Sequence, residues 1–355
     1  DKLTKVVVRK TGSCKPKQID VSALVKGADG AAGADGAAGA DGALRIYGDE
    51  SAGAKTVSAN ETLGADAAPD NDPNLQYTDF TINNGVTLTV PSGTVIRCTG
   101  TFTNNGTITV ETGARGGSRG GAEGSFDTSA YAPANPGIST RAAGSSEIGP
   151  DALNIRLRGV GGAGLSEFQA RQVRYPGVNA GGGGGAAVKE GTAASGGGSL
   201  VVLCETAINN AGTITANGAT STNGGGGAGG VVILASKTAV TNAAGATINA
   251  NGGAGGDNTT GHGASGGGGG GIVHLVGATS TNGGTATATG GAAGDETAAA
   301  AVTADPRAGG AGGGACGGDG GSGGSVSAAD VPSAAVAGSD GYVLVNTGVD
   351  PTALF

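Results

Sequence analysis

Two hydrophobic patterns interleave along this chain. The first is an Asn/Gly corner followed by alternating β-branched residues. It occurs as INNGVTLTV at 82–90, NNGTITV at 104–110, INNAGTITANG at 208–218, NAAGATINANGG at 242–253 and TNGGTATATGG at 281–291. Asn and Gly tolerate positive φ at a corner, and the alternation of Thr with Val or Ile predicts strands with one wet and one dry face. The second is a continuous apolar run entered from glycine: GGGSLVVL at 196–203, GGAGGVVIL at 226–234, GGGGGGIVHL at 266–275 and, more distantly, GSDGYVLV at 338–345. Runs of this kind predict strands buried on both faces. The repeating unit is therefore glycine tract, buried strand, turn, half-exposed strand. Its first two corners lie 21 residues apart, a spacing that suits one rung of a β-solenoid, and later copies drift apart as glycine-rich inserts enter. Asn residues at matching positions are expected to stack in ladders along successive coils.

The glycine tracts themselves, such as 181–185 and 266–271, could serve as flexible joints. Flexibility at every rung would dissolve the repeat through backbone entropy, so close-packed helices of the polyglycine-II type are expected instead. Nearer the start, residues 26–44 read KGADGAAGADGAAGADGAL, with glycine at every third position: Gly27, Gly30, Gly33, Gly36, Gly39 and Gly42. Strict Gly-X-Y spacing fits the collagen triple helix, where only glycine fits at the crowded axis. A flexible Gly/Ala linker is the bland alternative and needs no register. Read as a triple helix, the 27–44 stem spans about 56 Å at ~3.1 Å per residue and makes the chain a homotrimer. So short and proline-free a stem persists only if its flanks trimerise as well.

Composition narrows the fold class to all-β and extended structure. Glycine supplies 78 of 355 residues, Met and Trp are absent, and aromatics reach 3%. An ordinary core of large side chains is therefore not expected. No run of eighteen apolar residues exists, so neither a membrane span nor a signal core is expected, and membrane insertion is not. Residues 1–26 hold seven basic residues against two acidic ones, a net +5, so the overall −8 leaves −13 on the remaining 329 residues. Lys2, Lys5, Arg9, Lys10, Lys15 and Lys17 thus mark a basic attachment segment. No nucleic-acid motif or aromatic platform accompanies them, and an acidic protein partner is the expected counterpart, with a merely solvated charged strand as the alternative. Cys14, Cys98, Cys204 and Cys316 lie 84, 106 and 112 residues apart, which excludes CxxC metal or redox motifs and favours structural thiols.

Signals for chemistry are weak. His262 and His274 have no His, Cys or carboxylate at ligand spacing, so no metal site is expected. The glycine tracts lack the GxxxxGK[ST] pattern, so no nucleotide or other cofactor is expected. No nucleophile elbow appears. One stretch, 113–197, mixes aromatics and charges outside the aromatic β region. Within it, Tyr131, Arg156, Arg158, Phe168, Arg171, Arg174 and Tyr175 are candidates for gripping sugar faces or anionic groups. Glu123, Asp127, Glu147, Asp151 and Glu167 in the same stretch are the carboxylates that a glycan hydrolase would have to draw on.

GALRIYGDESAGAKTVSANETL, followed by NLQYTDFTINNGVTLTVPSGTVIRCTGTFTNNGTITV, resembles glycine-rich phage tail-fibre and related virion-fibre proteins over residues 43–110. GGGGGGIVHL, continuing to NGGTATATGGAAG, is similar to the glycine-rich domains of such fibres, including the polyglycine-II sandwich of T-even-type adhesins, over 180–345. The resemblance implies a homotrimeric fibre on the virion surface with a receptor-binding or structural role and no enzymatic activity. It implies docking of the N-terminus on another virion protein, and contact of the body with a host-surface glycan or outer-membrane protein. The expected organisation is an attachment segment (1–26), a collagen-like stem (27–44), a β-rich domain (45–112), an insertion (113–197) and a glycine-rich β-solenoid or polyglycine-II-like body (198–355). A polysaccharide-degrading tailspike-like depolymerase and a cell-surface or matrix structural protein are the competing readings.

Overall fold

Alternation and corner chemistry in the sequence translate into three parallel ladders of strands, visited in the same order on each circuit of the chain. The computed structural model describes residues 45–63, 74–119, 131–139, 141–145, 147–148, 156–186, 191–257, 263–295, 307–308, 310–313, 316–326 and 333–355. The stem glycines and the basic attachment residues lie outside them. Ile46–Phe355 is one compact unit, distinct from Asp1–Arg45. The protein is all-β, and among the described residues the only α-helix is Glu167–Ala170.

The first ladder runs Gln76–Tyr77, Thr94–Cys98, Ser199–Cys204, the first half of Val231–Asn242, the first half of Ile272–Asn282, and Tyr342–Thr347. The second runs Lys55–Val57, Phe80–Ile82, Thr101–Asn104, Ala207–Asn210, then the second halves of the same two long strands, which shift register after Ser236. The third runs Glu61–Thr62, Thr87–Val90, Thr107–Val110, Thr213–Thr215, Thr247–Asn249 and Thr285–Thr287. Residues 55–110 and 199–347 therefore share the same ladders, although 113–197 separates them in sequence.

Parallel register places like above like. Leu88, Ile108, Ile214, Ile248 and Ala286 form one column, and Ile96, Val202, Leu234, Leu275 and Val345 another. Phe80 stacks on Phe102 with centroids 5.5 Å apart and planes 12° off parallel. Apart from the exposed Val345, these columns form one apolar cluster with Ala286 packed at its edge, each fully buried Val, Leu or Ile contributing about 1.5–3 kcal/mol. At one corner the columns turn polar. Asn104 Nδ2 donates to Asn210 Oδ1 (2.7 Å), Asn210 to Asn242 (2.8 Å) and Asn242 to Asn282 (2.7 Å). Asn104, Asn210 and Asn242 are fully buried, so the expected ladder satisfies side chains that would otherwise be costly to bury.

The three central strands of the first ladder, entered from glycine tracts, are dry on both faces, as their unbroken apolar runs require. Ser199–Cys204 is buried at all six positions. Val202 and Leu234 point into the interior cluster, while Val201, Leu203 and Ile233 join a second cluster with Ile46, Tyr47 and Cys316. Tyr342–Thr347 departs from its sequence expectation: Val343 and Val345 are exposed. It ends its ladder, and the chain then leaves for Pro351–Ala353, so no further strand covers that side. The thiols of Cys98, Cys204 and Cys316 are free and buried. Cys98 and Cys204 are paired in register, and Cys316 Sγ donates to the Ala180 carbonyl at 2.7 Å.

Glycine tracts between circuits are ordered by backbone bonds that recur every third residue. Gly226 and Gly229 donate to Gly266 and Gly269 of one neighbour, Gly227 and Gly230 to Ala219 and Ala216 of a second, and Gly225 and Ala228 to Gly185 and Gly182 of a third. The next tract repeats the rule. Gly266 and Gly269 donate to Gly310 and Gly313, Gly267 and Gly270 to Val336 and Ser339, and Gly268 and Gly271 to Gly253 and Ala250. Asx side chains take up amides along the edges: Asn217 Oδ1 accepts from Asn251 N, Asn251 Oδ1 from Thr289 N, and Asp340 Oδ1 from Gly290 N. A Cβ built on Gly268 would fall on the Gly227 carbonyl oxygen, and one on Gly269 on that of Gly318.

Gly268→Ala and Gly269→Ala are expected to destabilise the protein well beyond the ~1 kcal/mol scale of glycine-to-alanine backbone effects. Gly245→Ala, at an open turn with φ +85°, serves as the comparison and should cost only the strain of its dihedral. Urea unfolding of the three variants checks this. Equal losses, or amides of 266–271 exchanging as fast as that turn, would show the tracts to be loops.

Candidate surface-binding site

The chain leaves the ladders after Val110 and rejoins them at Ser199, and the excursion carries all seven candidate binding residues. Its central piece is a one-turn helix, Glu167–Ala170, begun by a capping box: Ser166 Oγ accepts from Gln169 N, and Gln169 Oε1 accepts from Ser166 N at 2.9 Å. Ala170 on this turn is buried in the outer apolar cluster, with Leu165 and Val173 packed against it, so the helix sits on the outer face of the first ladder. Phe168 points away and is 73% exposed.

Beyond the helix, Arg174 and Tyr175 come together against Phe355, with Arg171 beside them. Arg174 lies over the Phe355 ring, 5.4 Å from its centroid, and Tyr175 meets the same ring edge-on at 5.5 Å and 87°. Arg174 Nη1 donates to the carbonyls of Arg171 (2.6 Å) and Val173 (3.0 Å). Partial burial pulls its guanidinium below the usual arginine range. Arg171 is spent differently, on Glu167 one turn earlier and, through Nη1, on Asn346 Oδ1 at 2.9 Å. Beside them opens a shallow groove of about 390 Å³ lined by Ile138, Leu165, Gln169, Gln172, Val173, Arg174, Tyr175 and Pro176.

Of the seven residues singled out in the sequence, the structure thus gathers Arg171, Arg174 and Tyr175, with Phe168 on the adjoining helix. Arg158 is exposed, and among the described residues no hydrogen bond brings it into this group. Tyr131 and Arg156 begin the two-residue strands Tyr131–Ala132 and Arg156–Leu157, in two small antiparallel sheets. Phe355, Gln169 and Gln172 were not singled out. Phe355 reaches the site only through the return of the chain end, which no local pattern announces, whereas the S-x-x-Q box around Gln169 is readable. Among the carboxylates, Glu123, Asp127 and Asp151 lie outside the described residues, and Glu167 is engaged by Arg171. Among the described residues no three His, Cys, Asp or Glu side chains gather in a metal-holding group, and no helix is long and apolar enough to cross a membrane.

His274 connects this patch to the ladders. Arg171 fixes the Asn346 amide so that its Nδ2 donates to His274 Nε2 at 3.0 Å. The imidazole proton therefore sits on Nδ1, which is buried without a partner among the described residues. Burial, reinforced by the charges of Arg174 and Arg171, lowers the His274 pKa to about 4. The unfolded chain, with a histidine near 6.5, binds the extra proton first as pH falls. The neutral ring's stabilisation is thus complete above about pH 6.5 and is lost as pH drops toward 4, amounting to roughly 3 kcal/mol at most. Replacing His274 with Gln is expected to flatten the fall in stability between pH 6.5 and 4 relative to wild type. Parallel curves from urea unfolding would refute this account of the ring.

Compared with family models, curated proteins and solved structures, the chain matches none of them.

Proposed function

We propose that the protein is a homotrimeric virion fibre whose body projects from a phage particle and makes contact with the host surface. In this reading residues 1–26 dock on another virion protein, the 27–44 stem is a collagen-like triple helix, and the coil of ladders is a β-solenoid. The glycine tracts form a polyglycine-II-like layer along it. The observation that carries the reading is the three-residue period of hydrogen bonds in those tracts. Three residues per turn is the screw of an extended polyproline-II-type chain, and such chains joined sideways make a stiff layer out of sequence that would otherwise be linker. A stiff body, an in-phase Gly-X-Y stem and a basic leading segment together suit projection from a particle. The exposed patch around Phe168, Arg174 and Tyr175 offers weak surface contacts that three chains would multiply through avidity. No covalent chemistry is needed.

Immunogold labelling of purified particles tests the placement: label at the tip of a fibre supports it, and absence of the protein from particles overturns it. Deleting residues 1–26 should leave a soluble trimer of the remainder that is no longer incorporated. Within the stem, Gly33→Val should fray the triple helix and lower the melting temperature of the trimer by several degrees. Unchanged melting and mass, with the segment equally protease-sensitive in both proteins, would count against a triple helix.

A further inference from the structure

We propose that the groove beside the helix is a saccharide site selective for an acidic sugar, whose carboxylate is bound by Arg174. The proposal rests on the surface-contact reading above and names the ligand that reading leaves open. Three observations carry it. First, Arg174 is a charge without an anion among the described residues. Arg171 next to it is met by Glu167 at its own turn, whereas no described carboxylate forms an ion pair with Arg174. Its Nη1 is committed to two main-chain carbonyls, and its Nε and Nη2 have no partner among the described residues. A guanidinium with one edge open in this way suits a carboxylate, which accepts two parallel N–H bonds.

Second, the side chain is already held in place. The Phe355 ring under the guanidinium and the two carbonyls fix its plane, so little rotamer entropy remains to be lost on binding. The same ring meets Tyr175 edge-on and fixes that phenol as well, leaving it 47% exposed. An immobilised aromatic beside a fixed cation is the combination that grips an acidic pyranose, the ring taking its C–H face and the cation its carboxylate.

Third, the rest of the lining suits hydroxyl groups. Gln169 holds its helix cap through Oε1, leaving Nε2 open, and Gln172 is exposed at the rim. Between them Ile138, Leu165, Val173 and Pro176 give an apolar floor. At about 390 Å³ the groove lies near the lower end of the ~300–1,000 Å³ range of ligand sites, a size for a sugar unit and not for a folded partner. The excess of acidic residues outside the basic segment disfavours diffuse binding of acidic polymers, so selectivity for an acidic sugar has to come from a local cation.

The test is binding of the full-length protein to an oligogalacturonate and to a neutral malto-oligosaccharide of equal length, by calorimetry. The acidic probe should bind, the neutral one at least tenfold more weakly. Arg174→Gln should lose about tenfold or more for the acidic probe, as expected for removing a charge-assisted hydrogen bond, and Arg174→Lys should lose less. Because Arg174 also packs on Phe355, its own variants could disturb the patch. The side-chain Nε resonance of Arg174 in the unaltered protein gives a second measure and should shift on titration with the acidic probe while that of Arg141 does not. Equal binding of both probes, or an unmoved Arg174 resonance under saturating oligogalacturonate, overturns the proposal. Saturable binding of the neutral probe alone does so too, while leaving the host-contact reading standing. Absence of the protein from particles removes that reading independently of any sugar.

Discussion

Everything in this body depends on the main-chain hydrogen bond made sideways between extended segments that carry no side chain at the point of approach. In the ladders the same bond is made in two directions, within a plane, and side chains are free to fill the space above and below. In the glycine tracts it is made in three directions, and a Cβ at Gly226, Gly227, Gly229 or Gly230 would occupy a neighbour's carbonyl. The two regimes meet at residues such as Gly230 and Gly271, where a tract bonded on three sides passes into a strand bonded on two. Glycine content is thus a structural requirement at these positions, and the small apolar core is its complement.

Much of the architecture was legible because its elements are local and repeated. The Asn-Gly corners, the Thr-Ile-Thr alternation and the runs SLVVL, VVIL and IVHL each state their exposure in four or five residues, and the Asn ladder follows once those corners are aligned. What the sequence could not state was closure. Val343 and Val345 read like Val273 and Leu275, with which they are in register, yet they are exposed, because among the described residues no strand follows theirs in the ladder. A strand's burial depends on its neighbour, and the place of a strand in its ladder is invisible to a local pattern.

The candidate site was legible only in part, for a related reason. The mixed aromatic and charged character of 113–197 pointed to the excursion that carries the patch, and the tight sequence R-Q-V-R-Y at 171–175 kept Arg171, Arg174 and Tyr175 together. The distinction between the two arginines was not written there. Arg171 is neutralised by Glu167 four residues earlier, a helical spacing that required knowing of the helix. Arg174 owes its setting to Phe355, 181 residues away in sequence, and His274 owes its tautomer to Asn346. Side chains that meet from distant parts of the sequence leave no periodic trace.

The three-directional bonding of the glycine tracts also sets the thermal character of the molecule. Unfolding a hydrophobic core exposes apolar surface and raises the heat capacity, whereas exposing peptide groups lowers it. The buried interior of the tracts is mostly peptide, so their unfolding opposes the contribution of the Leu, Ile and Val columns. The protein's heat-capacity increment of unfolding is therefore expected to fall below the ~12–15 cal/mol/K per residue of ordinary domains, with a flatter stability curve. Its cohesion varies less between cold and warm water than that of a protein held by side chains alone.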